Sequence, residues 1–162
     1  MTIDPGTTGT TVTLFGGSDP LDYAMSAQLD RRGCRTHSVT VATGWLQSVT
    51  HAIMRLDTVA GAEAFRQLID TPTPRSHVVA VCPQTDDVAE SARVQDLCRA
   101  CGVHHDVALI WHPPLVSHET AVSTADTTAA LAATVADEMA GHLSVGEPAF
   151  VTRPFTIDAA SH

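Results

Sequence analysis

The stretch that decides the fold is Thr11–Gln28, which reads TVTLFGGSDPLDYAMSAQ. Its first five residues are apolar or β-branched and predict a β-strand, and the pair Gly16-Gly17 predicts a turn after it. A helix is predicted next, because Asp19 suits the N-cap and Pro20 suits the first helical position. This order of strand, glycine turn and helix is typical of the first unit of an α/β domain.

The rest of the chain continues the alternation of strands and helices. Five more strands are predicted, at Thr36–Thr43, Ala52–Leu56, His77–Cys82, Val107–Trp111 and Ala149–Thr152. Three more helices are predicted, at Ala60–Ile69, Asp86–Ala100 and Thr124–Ala140. Such alternation predicts a three-layer α/β fold, in which a parallel sheet of about six strands has helices on both faces and right-handed crossovers. We expect one domain over residues 11–156, with a flexible leader at 1–10 and a flexible tail at 157–162.

Composition excludes several classes of function. The chain has 162 residues, 44% of them apolar, and a net charge of −9, which argues against nucleic acid or an anionic membrane as a partner. All nine basic residues are arginines, so no mechanism that needs a lysine is available. No signal peptide or membrane-spanning run is visible, which predicts a cytoplasmic protein whose four cysteines are thiols.

The order of the segments resembles a shortened short-chain dehydrogenase/reductase (SDR), a family of Rossmann-type enzymes that includes the ketoreductases. The match spans about Thr11 to Thr156. Residues 12–29 resemble the opening strand, turn and helix, and HVVAVC at 77–82 resembles the fourth strand of the family. Residues 125–143 resemble the long helix after the active-site strand, and 147–156 resemble the sixth strand. The resemblance implies a Rossmann-like fold.

The cofactor site that this resemblance implies is altered at its main positions. The family places three glycines after the first strand; the first corresponds to Gly16, but the other two correspond to Pro20 and Asp22. Those glycines let the backbone approach the pyrophosphate, whereas the Asp22 carboxylate would repel it. No acidic residue ends the second strand to bind a ribose hydroxyl, and Asp57 alone matches a family aspartate near the adenine. We therefore predict no nicotinamide cofactor.

The catalytic pair of the family is missing as well. SDR enzymes use a tyrosine and, four residues later, a lysine, and Thr124 and Thr128 lie roughly where that pair would fall. The chain has no lysine, and its single tyrosine, Tyr23, lies in the first helix. The resemblance therefore carries over the fold and not the redox activity.

Two groups of residues have alternative interpretations. Cys98, Cys101, His104 and His105 could bind zinc or carry redox chemistry, but the spacing of the two cysteines also suits one apolar helix face near a helix end, and we predict no metal. His112 and His118 follow the fifth strand, at the sheet edge where open α/β sheets bind ligands. They are the candidate catalytic residues, as general acid or base, and the alternative is that they are loop imidazoles bonded to backbone or water.

The expected function is a non-redox, SDR-like binding or companion subunit. Resemblance to the non-catalytic half of polyketide ketoreductases suggests natural-product (polyketide-type) biosynthesis as the context. We expect a homodimer, or a heterodimer with an SDR chain, through the helices at 86–100 and 124–140, and allow a small-molecule ligand at the carboxyl edge of the strands. The alternative is a repurposed SDR-fold enzyme that catalyses cyclisation, dehydration or isomerisation by acid/base chemistry without a nicotinamide cofactor.

Overall fold

Six parallel strands form a single sheet in the computed structural model of the protein, which describes residues 10–17, 19–40, 49–70, 76–112, 121–141 and 149–154. The strands are β1 (Thr11–Phe15), β2 (Arg35–Val39), β3 (His51–Arg55), β4 (His77–Pro83), β5 (Asp106–His112) and β6 (Ala149–Pro154). The helices are α1 (Pro20–Arg31), α2 (Val59–Asp70), α3 (Val88–Cys101) and α4 (Ala121–Gly141). The predicted α/β class and the sheet of about six strands are confirmed.

The strand order is β2-β1-β3-β4-β5-β6, and every neighbouring pair is parallel. The chain leaves β1 toward β2 and then returns to the other side of β1 as β3. This reversal makes the carboxyl ends of β1 and β3 the switch point, where open α/β sheets form a ligand crevice. The order 2-1-3-4-5 is that of flavodoxin-like sheets, whereas the dinucleotide-binding order is 3-2-1-4-5-6. HVVAVC is β4, and β3 separates it from β1.

Two apolar cores lie on the two faces of the sheet. On the first, which we call the α1/α4 face, Leu14, Ile53 and Val81 pack with residues of α1 and α4. On the second, the α2/α3 face, Met54 and Leu109 pack with residues of α2 and α3. Successive residues of a strand point to opposite faces, so each strand supplies both cores.

The sequence predicted right-handed crossovers throughout, but the connection through helix α4 differs in hand from its neighbours. The β3–α2–β4, β4–α3–β5 and β5–α4–β6 connections all run in one direction across the sheet, yet α4 packs beside α1 on the opposite face from α2 and α3. The β5–α4–β6 connection therefore has the opposite hand to the other two. Parallel crossovers are right-handed in about 98% of cases, so two connections of opposite hand in one sheet are unusual.

The position of α4 is fixed by its own side chains. Leu131, Val135 and Met139 are fully buried in the core of the α1/α4 face. At the surface Arg32, just after α1, donates two hydrogen bonds to Asp137 Oδ1, at 3.0 Å and 2.6 Å.

No helix in the described part of the chain is long and apolar enough to cross a bilayer.

Most predicted elements differ from the observed ones by one to three residues at their ends. Helix α3 begins two residues later than predicted, because Asp87 accepts the N-cap hydrogen bonds of Ala89 and Glu90. Strand β2 was predicted to reach Thr43, but it ends at Val39. The predicted leader to residue 9, the segment 41–48 and the predicted tail lie outside the described residues.

Candidate functional site

A buried arginine occupies the switch point at the carboxyl ends of β1 and β3. The Arg55 side chain, the last of β3, is 5% exposed and bonds three carboxylates. Its Nη1 lies 2.6 Å from Asp19 Oδ2 and 3.0 Å from Asp22 Oδ2, and its Nη2 lies 3.0 Å from Asp57 Oδ2. We call these four residues the Arg55 cluster. The sequence pattern pointed to Asp22 and Asp57 but gave no indication of Arg55.

The two aspartates of α1 in this cluster also form its N-terminal cap. Asp19 Oδ1 accepts the backbone N–H groups of Leu21 and Asp22, as the sequence predicted for an N-cap residue. Asp22 Oδ2 in turn accepts the N–H groups of Gly17, at 3.1 Å, and Asp19, at 3.3 Å. The reciprocal bonds make a capping box, here with two aspartates. The helix terminus that binds phosphate in nucleotide folds is thus filled by carboxylates of the chain itself.

Glycines at two positions allow this packing. A Cβ on Gly16 would lie 2.5 Å from Asp22 Oδ1 and 3.2 Å from Arg55 Cδ. A Cβ on Gly61, in the first turn of α2, would lie 1.9 Å from the carbonyl oxygen of Arg55. The backbone of α2 therefore touches β3 at the residue whose side chain forms the cluster.

Burial and charge act differently on the ionisable groups of the cluster. Burial raises the pKa of Asp22, and the nearby positive charge of Arg55 offsets this only in part. Burial also favours a higher pKa at Asp19, but the hydrogen bond from Arg55 and the other favourable contacts outweigh it and lower that pKa. Burial disfavours the charged form of Arg55, yet its three aspartates raise the pKa of the guanidinium above the usual value. The cluster therefore keeps a permanent cation and two unequal carboxyl groups.

The cluster is held tightly but is not fully hydrogen-bonded. Asp22 Oδ1 and Arg55 Nε are buried and have no hydrogen-bond partner among the described residues. With three carboxylates around one guanidinium, the fully ionised cluster has a net charge of −2. An incoming phosphate would therefore meet excess negative charge at this position.

One of the two candidate histidines, His112, lies differently from the prediction. His112 was expected in a loop, but it is the last residue of β5, and its carbonyl accepts the N–H of Gln84 at 2.7 Å. Its side chain faces the α1/α4 side and the residue is 1% exposed. A strand residue so deeply buried cannot be replaced without consequence for the fold. His118 lies outside the described residues.

A cleft of about 210 Å³ opens on the other face, between α2 and α3. Leu56, Phe65, Val94 and Leu97 give it apolar walls, and the Cys82 thiol at the end of β4 lines it as well. Arg66, Glu90 and Arg93 stand around it. The cleft is near the carboxyl ends of β3 and β4, but His112 does not line it. The cleft could not be predicted from the sequence, since its walls come from two separate helices.

The Cys-x-x-Cys pair belongs to the core. Cys98 and Cys101 are buried on the α2/α3 face, and burial raises the pKa of each thiol to about 12. His105 is buried too: its Nδ1 accepts the N–H of Ser76 at 3.1 Å, and burial lowers its pKa. Groups of three or more metal-binding side chains are absent from the described residues.

A row of polar side chains at the amino edge of the sheet went unnoticed in the sequence. His51, His77 and Asp106 begin β3, β4 and β5 and lie in register. The two imidazoles stack with 5.1 Å between their centroids, and His77 Nδ1 lies 3.3 Å from Asp106 Oδ2. These strand ends are opposite to the ligand-binding edge, so the row ties three strands together.

No family model matches the chain, and no curated protein matches it either. The SDR resemblance therefore rests on the order of the segments alone, and the Rossmann-like fold is what the structure shows.

Proposed function

We propose that this protein is a non-redox, Rossmann-like domain that acts as a binding or companion subunit and uses no nicotinamide cofactor. The observation that carries the proposal is the Arg55 cluster at the switch point. SDR-like ancestry and a place in polyketide-type biosynthesis belong to the same proposal, and they rest on the sequence resemblance alone.

The first support is the use of the backbone donors at the start of α1. A dinucleotide-binding fold leaves these N–H groups to the pyrophosphate. Here Asp19 accepts those of Leu21 and Asp22, and Asp22 accepts that of Gly17. A phosphate would have to displace two carboxylates that Arg55 also holds.

The second support is that the catalytic tyrosine and lysine of the SDR reductases have no counterpart in the sequence. The chain has no lysine, and Tyr23 is 67% exposed on the surface of α1. The alternative of an acid/base enzyme rests on His112 or His118; His112 is 1% exposed, and His118 lies outside the described residues. These positions favour the binding role over the enzyme.

For the companion role, the contact surface has to differ from the one predicted for the dimer. Helices α3 and α4 pack on opposite faces of the sheet, so they cannot form one continuous surface for a partner. Val94 of α3 is buried in the core, so it is not available to a partner. The outer side of α3 retains exposed apolar residues, with Val88 at 81% exposure and Ala92 also exposed. We propose that a second copy or an SDR chain contacts α3.

A titration tests the cofactor part of the proposal. Calorimetry with NADPH and with inorganic pyrophosphate is expected to give no binding to the wild-type protein. Asp22→Asn removes one negative charge and keeps the shape of the side chain. Any gain of pyrophosphate affinity is therefore expected in this variant. Micromolar binding of NADPH by the wild type would contradict the proposal.

Sedimentation tests the companion part. We expect the wild type to self-associate, or to bind an SDR chain, at protein concentrations of about tens of micromolar. Interfaces at the small end of the size range are weak, so association is expected only at such concentrations. Ala92→Arg, on the exposed side of α3, should abolish the association. Ala129→Arg, at an exposed position of α4, is the matched control and should leave it intact. A monomer that ignores SDR chains, or equal effects of both variants, would overturn the α3 contact.

A further inference from the structure

We propose that the cleft between α2 and α3 binds a small carboxylic acid with an apolar body, of the size of an arylacetic or short acyl acid. This inference deepens the binding role proposed above and rests on it. It names a site on the opposite face of the sheet from the Arg55 cluster.

The size and walls of the cleft set the apolar part of the ligand. Its volume is about 210 Å³, and Phe65, Val94 and Leu97 line it together with Leu56. An apolar protein cavity of about 150 Å³ lined by similar side chains holds a benzene ring. One ring or a short acyl chain therefore fits the cleft, whereas a dinucleotide is far too large for it.

The charged side chains around the cleft determine the polar group of the ligand. Arg93 is already engaged, because two of its guanidinium nitrogens bond the carboxylate of Glu90. Arg66 forms no ion pair within the described part of the chain, although the protein has a net charge of −9. A lone cation next to an apolar cleft favours a ligand with a single negative head group.

Cys82 gives the site its own reporter. Its thiol lines the cleft and is partly accessible, while the other three cysteines are buried. A ligand in the cleft covers this thiol and slows its reaction with an alkylating reagent. The site can therefore be observed without any assumption about activity.

The experiment measures the rate of Cys82 alkylation by iodoacetamide at alkaline pH in the full chain, with mass spectrometry. The probe is phenylacetate, and phenylacetamide is its neutral counterpart of the same shape. We expect phenylacetate to slow the alkylation in a saturable way and phenylacetamide to protect at least several-fold less. Equal protection by both would overturn the role of the carboxylate.

Variants of the full chain separate the two parts of the ligand. Arg66→Gln should weaken phenylacetate protection by up to about fivefold, as expected for an exposed ion pair. Arg99→Gln, which removes an exposed arginine that does not line the cleft, is the control and should change nothing. Leu97→Trp should fill the cleft and remove the protection.

Two results would overturn the proposal. One is a wild-type alkylation rate that phenylacetate does not change even in large molar excess. The other is unaltered protection in Arg66→Gln. Neither result bears on NADPH binding, so a failure here is distinguishable from a failure of the cofactor proposal.

Discussion

At the scale of single residues, Arg55 holds the two carboxylates that occupy the N-terminus of α1. Its guanidinium neutralises Asp22, a carboxylate that is 5% exposed, and bridges it to Asp19 and Asp57. A buried charge that loses its only close counter-charge is costly, because it remains desolvated. The stability of the switch point therefore depends on this one side chain.

Replacement of Arg55 by alanine should destabilise the protein by roughly 3–5 kcal/mol, the usual loss when one partner of a buried ion pair is removed. The control is Arg93→Ala, whose ion pair with Glu90 is exposed on α3 and should contribute at most about 1 kcal/mol. Urea unfolding monitored by circular dichroism measures both. Equal losses in the two variants would show that the Arg55 cluster is not a buried network.

Asp19 and Asp22 should give opposite pH dependence to stability. The pKa of Asp19 is lowered in the folded state, so its contribution is present above the unfolded value, about 3.9, and is lost as the pH falls through the folded value. The pKa of Asp22 is raised by burial, so its contribution is full below about 3.9 and is lost as the pH rises through the folded value.

Chemical unfolding between about pH 3 and pH 7 checks this with two matched variants. Asp19→Asn should flatten the acid side of the stability curve, because it removes a group that is stabilised only when ionised. Asp22→Asn should reduce the loss of stability above about pH 4, the range in which Asp22 ionises. The same direction of change in both variants would contradict the pKa assignment.

Residues with local roles were the ones that the sequence made predictable. Asp19 and Pro20 act within one helical turn, at the N-cap and the first helical position that the sequence indicated. Arg55 was missed because two of its three carboxylate partners lie 33 and 36 residues away. Its signals were an arginine at the end of an apolar strand and the Asp-x-x-Asp spacing of a capping box.

At the scale of elements, the close approach of α2 to β3 determines where the helix starts. Thr58 Oγ1 donates a hydrogen bond to the Arg55 carbonyl at 2.7 Å and accepts one from the Gly61 N–H at 3.0 Å. Gly61 then allows the helix backbone to lie directly on the strand. One turn thus connects the backbone of Arg55 to α2 while its side chain faces α1.

Gly61→Ala should destabilise the protein by about 1–3 kcal/mol, the usual cost of overpacking, because the added methyl group meets backbone that cannot move aside. Helix propensity alone predicts the opposite sign, a gain of up to about 1 kcal/mol. Gly141→Ala is the control, since a Cβ there has no atom within 4 Å, and it should be neutral or slightly stabilising. Thermal unfolding decides, and a stabilised Gly61→Ala would refute the contact.

Elements were predicted well because their signals are periodic and short-range. The apolar run of β4 and the caps of α1 placed those elements within one residue. The face on which α4 lies was not predictable in the same way. Its many alanines and threonines give no single apolar stripe, so its packing is decided by contacts with α1 and β4.

At the scale of the whole molecule, the burial of the four cysteine thiols shows how well the core is shielded from solvent. Cys34, Cys98 and Cys101 are buried and Cys82 is only partly so. Burial raises the pKa of Cys82 to about 11, and the charges of Asp57 and Glu90 add to the effect. The native protein should therefore hold its cysteines almost entirely as unreactive thiols near neutral pH.

Reaction with a thiol reagent should label Cys82 alone and slowly in the folded protein, and all four cysteines after denaturation. Mass spectrometry of the labelled peptides gives the order of reaction. Rapid labelling of Cys98 or Cys101 in the native state, or a disulfide between them, would contradict their place in the core and revive the redox interpretation.

The path of α4 has a consequence for synthesis on the ribosome. Strands β1 to β5 are complete once residue 112 has emerged, and by then α2 and α3 can already cover one side of the sheet. The other side, with Val79, Val81 and Ile110, stays partly bare until residues 131–139 arrive. A nascent chain of intermediate length therefore displays a flat apolar surface, which is the kind of surface that chaperones bind and that aggregates form on.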